Sequence, residues 1–183
     1  MQDLLQILFG YVCGQNPAHT WTPGGLPLPC CQRCTGLYAG AFFAALLHLW
    51  KRPALTGGFL EVHGLMLLLM LPFGFHWVDQ GPVLRGISGV LFGAGVFTFL
   101  WLPVRQIGCG LKTGLRPSAR VVYAAGLTLA AAGVPALGEH GGFLGNRLLL
   151  VLTAGGAVAL ALAAGAAVLL CLACLRRPIA AHE

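Results

Sequence analysis

Cys13–Gly40 reads CGQNPAHTWTPGGLPLPCCQRCTGLYAG, and its passage from a proline-broken leader into an apolar helix decides how the chain is built. The stretch holds four of the seven cysteines, one histidine, four prolines and one arginine. Pro17, Pro23, Pro27 and Pro29, with Gly24 and Gly25, exclude a regular helix before Cys30. From Thr35 onward the chain is mostly hydrocarbon.

Upstream, Met1 to Val12 is amphipathic and far short of the roughly 20 residues a helix needs to cross a bilayer, so it is expected to lie along the interface. It carries Asp3 and no Lys or Arg, unlike the cationic start of a secretory signal. Val12 before Cys13 is not the small residue a lipoprotein site requires. No cleavage is expected.

Downstream, five apolar segments follow: residues 35–50, stopped by Lys51, Arg52 and Pro53; 59–78; 86–104; 121–137, rich in Ala; and 148–175. The last is roughly 42 Å long as a helix and must tilt or project. The chain is 57% hydrophobic and 9% charged, where a soluble domain carries about a quarter charged residues. Its net charge of +6 is scattered between apolar runs rather than gathered in a stripe, which argues against nucleic acid as a partner. The expected fold is an all-α integral membrane protein. It is a bundle of about five transmembrane helices (35–175), preceded by an interfacial segment and Cys/Pro-rich loop (1–34) at the outer face and followed by a cytoplasmic tail (176–183).

Basic residues orient it. Arg33, Arg85 and Arg147 lie on one side; Lys51, Arg52, Arg105, Lys112, Arg116, Arg120, Arg176 and Arg177 lie on the other. Under the positive-inside rule the N-terminus and its cysteines are outside and the C-terminus is cytoplasmic. Gly36 with Gly40, and Gly89 with Gly93, are G-x-x-x-G pairs that let helices approach closely in lipid, which makes the first and third segments interior members of the bundle.

Cys31-Gln32-Arg33-Cys34 is a C-x-x-C, with Cys13 upstream and His19 between them. Two thiolates two residues apart, a third thiolate and a histidine suit tetrahedral zinc; Cys30 is a spare or replaces one of the four. Arg33 either lowers thiol pKa values, pairs with Asp79 or binds an anion at the helix start. His76 and Asp79 at the end of the second segment, Arg85, and Glu139 with His140 at the end of the fourth are further polar candidates on the same face. The rival chemistry is redox: exposed thiols in an oxidising compartment form disulfides unless metal holds them, and a thiol/disulfide oxidoreductase using Cys31 and Cys34 would be linked to a quinone. A third reading is a non-enzymatic subunit of a larger membrane complex, or a homo-oligomer, in the lipid bilayer.

On the other face, Cys171 and Cys174 are three apart on a helix, with Cβ atoms about 5 to 6 Å apart where a disulfide needs about 3.5 to 4.5 Å. With Cys109 they are expected to be reduced packing residues. His48, Glu61 and His63 are expected to meet across the first helical hairpin, as a His–Glu pair covering a helix turn, a proton path or a second ligand set.

Cys13, Pro17, His19, Thr20, Gly24, Gly25 and the block Pro29-Cys30-Cys31-Gln32-Arg33-Cys34-Thr35-Gly36-Leu37-Tyr38 with Gly40 resemble the signature of the prokaryotic membrane-protein family called domain of unknown function 2085. Pro72, Asp79, Gln80, Arg85, Gly89 and Gly93 continue the likeness, which covers roughly residues 11–104. Gly14 stands where the family commonly has His, and His19 where it has Arg or Lys. The resemblance implies a cysteine-motif protein of the prokaryotic inner membrane and carries no assigned activity.

Overall fold

The computed structural model describes residues 2–51, 53, 55–74, 80–108 and 117–176. Among these, every regular element is helical: α1 (Gln2–Gly10), α2 (Gln32–Lys51), α3 (Gly57–Leu68), α4 (Met70–Gly74), α5 (Pro82–Gly108), α6 (Pro117–His140) and α7 (Gly142–Arg176), with 3-10 turns at Pro17–His19 and Pro23–Gly25. Within the described residues, each expected apolar segment falls on helix, the second as far as Gly74. The second is divided at Leu69 because Pro72 has no N–H and its ring crowds the carbonyl of Leu68 four residues earlier.

Among the described residues, three helical stretches are long and apolar enough to cross a bilayer, Pro82–Gln106, Ala119–His140 and Gly142–Cys174, where about five spans are expected. Gly57–Phe73 is shorter. α2 has 20 residues but begins with Gln32 and Arg33 and ends with His48 and Lys51, which dilutes its apolar character. α7, 35 residues long, extends about 52 Å, and its most apolar part is almost wholly exposed, as a helix facing lipid is.

α2 is the hub, packed against α5, α6 and α7. A side chain at Gly36 or Gly40 would run into the carbonyls of Gly86 or Val90, and one at Gly89 or Gly93 into those of Arg33 or Leu37. The two G-x-x-x-G pairs therefore face each other, bringing α2 and α5 into backbone contact as small-residue interfaces do in lipid. Buried Ala39, Ala41, Ala44 and Ala45 keep the rest of α2 equally slim.

The leader is held against the end of this bundle from several sides. Trp21 is buried at Gly86, Pro135 and Gly138. Asn146 Nδ2 of α7 donates to the Leu26 carbonyl at 2.8 Å. Gly24 adopts φ +68° and its backbone rests on Phe143, whose nitrogen a Cβ would meet at 2.7 Å, so glycine is required there on both counts. α1 leaves Leu4, Ile7 and Leu8 exposed and buries Phe9 against Tyr38 of α2, ring centroids 4.9 Å apart.

Candidate metal centre

Cys13 follows the last turn of α1, its N–H donating to the Phe9 carbonyl at 2.8 Å. Two residues on, Gln15 takes a positive φ of 46°, a conformation that costs a non-glycine residue energy unless its surroundings fix it. The surroundings do: Gln15 Nε2 donates to the carbonyls of Gln6 at 2.6 Å and Pro29 at 2.8 Å. One amide thus ties α1 to the strand of leader that enters α2, and folds Cys13 back over the helix mouth. Asn16 then caps the first 3-10 turn through its side chain, Oδ1 accepting from Ala18 N at 3.0 Å.

α2 supplies the other two sulfurs. The Thr35 N–H donates to the Cys31 carbonyl at 2.8 Å, so Cys31 precedes the first helical turn and Cys34 sits within it. The Sγ atoms of Cys13, Cys31 and Cys34 all lie within 4.8 Å of one another. Cys13 is 4% exposed, while Cys31 and Cys34 are half-buried and open the cluster to one side.

The electrostatics converge on Cys13. The neighbouring Cys31 and Cys34 thiols, with the backbone N–H groups of Cys31 at 3.3 Å and Gln15 at 3.4 Å donating to its sulfur, hold the Cys13 thiol well below the usual thiol range. The same neighbourhood pushes the Cys31 thiol up. The trio gathers three sulfur donors around one readily ionised thiol, a set that a cation would complete. Tetrahedral zinc at Zn–S of about 2.3 Å sets sulfurs about 3.8 Å apart, so the trio fits the ion with a contraction of about 1 Å at most.

The remaining expected ligands lie differently. Cys30 is buried, its sulfur 3.4 Å from Thr35 Oγ1; burial raises its thiol to about 12. It is not one of the three converging sulfurs. Nor is His19, which ends the 3-10 turn that Asn16 caps. Arg33 Nη2 donates to Gln80 Oε1 at 3.3 Å, and Gln80 is buried. Arg85 is half-buried in the first turn of α5. Glu139 and His140 are exposed at the end of α6. His76, Asp79 and Cys109 lie outside the described residues.

Two residues at the site carry no signal of their own in the chain. Gln15 is an ordinary polar loop residue until its turn is seen. Gln80 stands beside Asp79, the partner expected for Arg33, and only its place in the family signature marks it.

An uncharacterized protein of Methanothermobacter thermautotrophicus is 47% identical over 34 residues, 19% of this chain and 31% of that protein; the aligned stretch thus spans about a third of the relative's length. No solved structure matches. Residues 13–99, from the first cysteine of the trio to the second half of α5, match the model of the family described as predicted membrane protein (DUF2085), the family that the cysteine block resembles.

Proposed function

We propose that Cys13, Cys31 and Cys34 form a zinc site on the extracytoplasmic face of a polytopic inner-membrane protein. In this reading α2 and the α3–α4 stretch cross the bilayer with α5, α6 and α7, giving five spans, the N-terminus outside and the C-terminus in the cytoplasm. The observation that carries it is the convergence of three sulfurs from two separated parts of the chain onto a space of zinc-site size. Zinc prefers thiolate ligands and lowers their proton affinity, which removes the need for two thiols to stay protonated in a confined group. The fourth position is filled by water or, after a shift of the leader, by His19 or Cys30. A water there would be acidified by the metal, and Arg33 with Gln80 would be its polar neighbours.

Metal analysis together with thiol counting on protein purified in mild detergent tests the reading. Stoichiometric zinc, with thiols that react only after chelation, is expected. Absence of metal together with two thiols that appear only on reduction would instead favour the quinone-linked thiol/disulfide oxidoreductase. Co-purifying subunits at fixed ratio would make the centre part of a larger membrane complex.

A further inference from the structure

At the other end of α2, about 21 Å from Cys34 at 1.5 Å per residue, a second polar group is enclosed by the bundle. His48 of α2 is 1% exposed and His63 of α3 is 2% exposed. They are joined through Thr98 of α5 and Tyr123 of α6, both buried. His48 Nε2 lies 3.2 Å from Thr98 Oγ1, Thr98 Oγ1 is 3.5 Å from the Tyr123 hydroxyl, and that hydroxyl is 2.9 Å from His63 Nε2. The chain ends where His63 Nδ1 meets the Phe59 carbonyl at 2.8 Å. Glu61, the expected partner of these histidines, is exposed.

The terminal carbonyl fixes every proton. It can only accept, so His63 Nδ1 carries the hydrogen and Nε2 of the neutral ring is an acceptor. Tyr123 therefore donates to His63, Thr98 donates to Tyr123, and His48 Nε2–H donates to Thr98. What is left over is His48 Nδ1, a buried lone pair with no hydrogen-bond partner among the described residues. Burying such an acceptor unmet is costly, and ionisable groups inside a membrane bundle mark functional pathways.

We propose that His48, Thr98, Tyr123 and His63 are a proton relay, with His48 Nδ1 as its receiving end and His63 as its delivering end. A proton from hydronium or water that binds Nδ1 makes His48 an imidazolium. Its Nε2–H bond breaks as the proton passes to Thr98 Oγ1; the Thr98 hydroxyl proton passes to the Tyr123 oxygen, and the Tyr123 proton to His63 Nε2. One proton enters, one positive charge appears on His63, both hydroxyls are again neutral but now point back toward His48, and His48 is left as the Nδ1–H tautomer. His63 and Tyr123 line a cleft of about 280 Å³ between α3 and α6, with Phe59, Met66, Arg120 and Leu127, and water entering this cleft takes the proton from His63; the ring of His48 and the two hydroxyls then turn back to restore the starting directions. Among the described residues, the charged groups at this end of the elements around the relay are engaged or turned away. Lys51 of α2 lies over the Trp50 ring, 3.8 Å from its centroid. Arg120 of α6 donates to Thr56 Oγ1 at 3.1 Å, Arg105 of α5 donates to the Pro53 carbonyl at 3.5 Å, and Glu61 of α3 is exposed.

Nitrogen-15 NMR of the full chain labelled at histidine tests this. At neutral pH the relay requires the Nε2–H tautomer for His48 and the Nδ1–H tautomer for His63. On acidification the first imidazolium must appear on His63, with the His48 signals shifting in the same step. Thr98→Val and Tyr123→Phe each interrupt the chain, so the two rings must then titrate separately, with midpoints displaced by about tenfold in proton affinity. Zinc content and helical circular dichroism report that the variants are folded, and the two substitutions at different positions guard against one of them failing. The opposite tautomers, independent titration in the unaltered chain, no proton uptake by either ring before unfolding, or identical titrations in folded variants would each overturn the proposal.

Discussion

The two ends of α2 carry polar groups assembled in opposite ways. At its mouth, a C-x-x-C supplies two sulfurs within one helical turn and a folded-back leader brings the third; at its far end, four helices contribute one side chain each. The cysteine group favours negative charge, with two backbone N–H groups donating to the Cys13 sulfur beside two further thiols. The histidine group is neutral and satisfied in one direction, except at a single nitrogen. A local motif completed by a loop suits a ligand that arrives from outside. A group built from four helices, enclosed at His48 and bordered by a cleft at His63 and Tyr123, suits internal transfer.

Four substitutions put this contrast between the two ends to the test. Cys13→Ser removes a ligand outright. Outer-sphere partners alone cost about 10–100-fold in metal affinity, so chelator competition is expected to show a loss greater than about 100-fold, while the histidine tautomers stay as they are. Gly40→Leu drives a side chain into the Val90 backbone; overpacking of this kind costs about 3 kcal/mol, and unfolding in mixed micelles is expected to show both polar groups weakened together because α2 and α5 separate. Gln80→Leu takes the acceptor from Arg33 and is expected to lower zinc affinity about tenfold without altering the histidines. Tyr123→Phe is expected to leave zinc affinity within about 0.5 kcal/mol of its original value, since sites this far apart do not couple; a larger change would mean that the two ends of α2 communicate.

Much of the cysteine end was legible in the chain because its determinants are local. The C-x-x-C at a helix entrance, the prolines that forbid helix before it and the paired glycines each state their geometry within a few residues. The contribution of Cys13 was readable as chemistry, but its arrival rests on Gln15, whose positive φ and double hydrogen bond have no signature, and on Asn146, which grips the leader from 120 residues away. The same capped turn that orders the leader holds His19 out of the sulfur group, which no spacing rule anticipates. At the histidine end, His48 and His63 do belong to one buried group, but through Thr98 and Tyr123 and not directly across the hairpin. Glu61 was the obvious third member by sequence distance, yet it faces outward. Thr98 and Tyr123, which join the rings, come from helices whose rotation only the packing decides.

If three cysteine sulfurs converge to hold a metal, they must appear as its neighbours in X-ray absorption at the zinc edge, recorded on the full chain purified without added metal or chelator. The expected shell has three sulfur neighbours at about 2.3 Å with one lighter atom completing it, or a fourth sulfur if Cys30 enters. A zinc shell of oxygen and nitrogen alone, or a preparation free of metal in which Cys31 and Cys34 are joined as a disulfide, would contradict it.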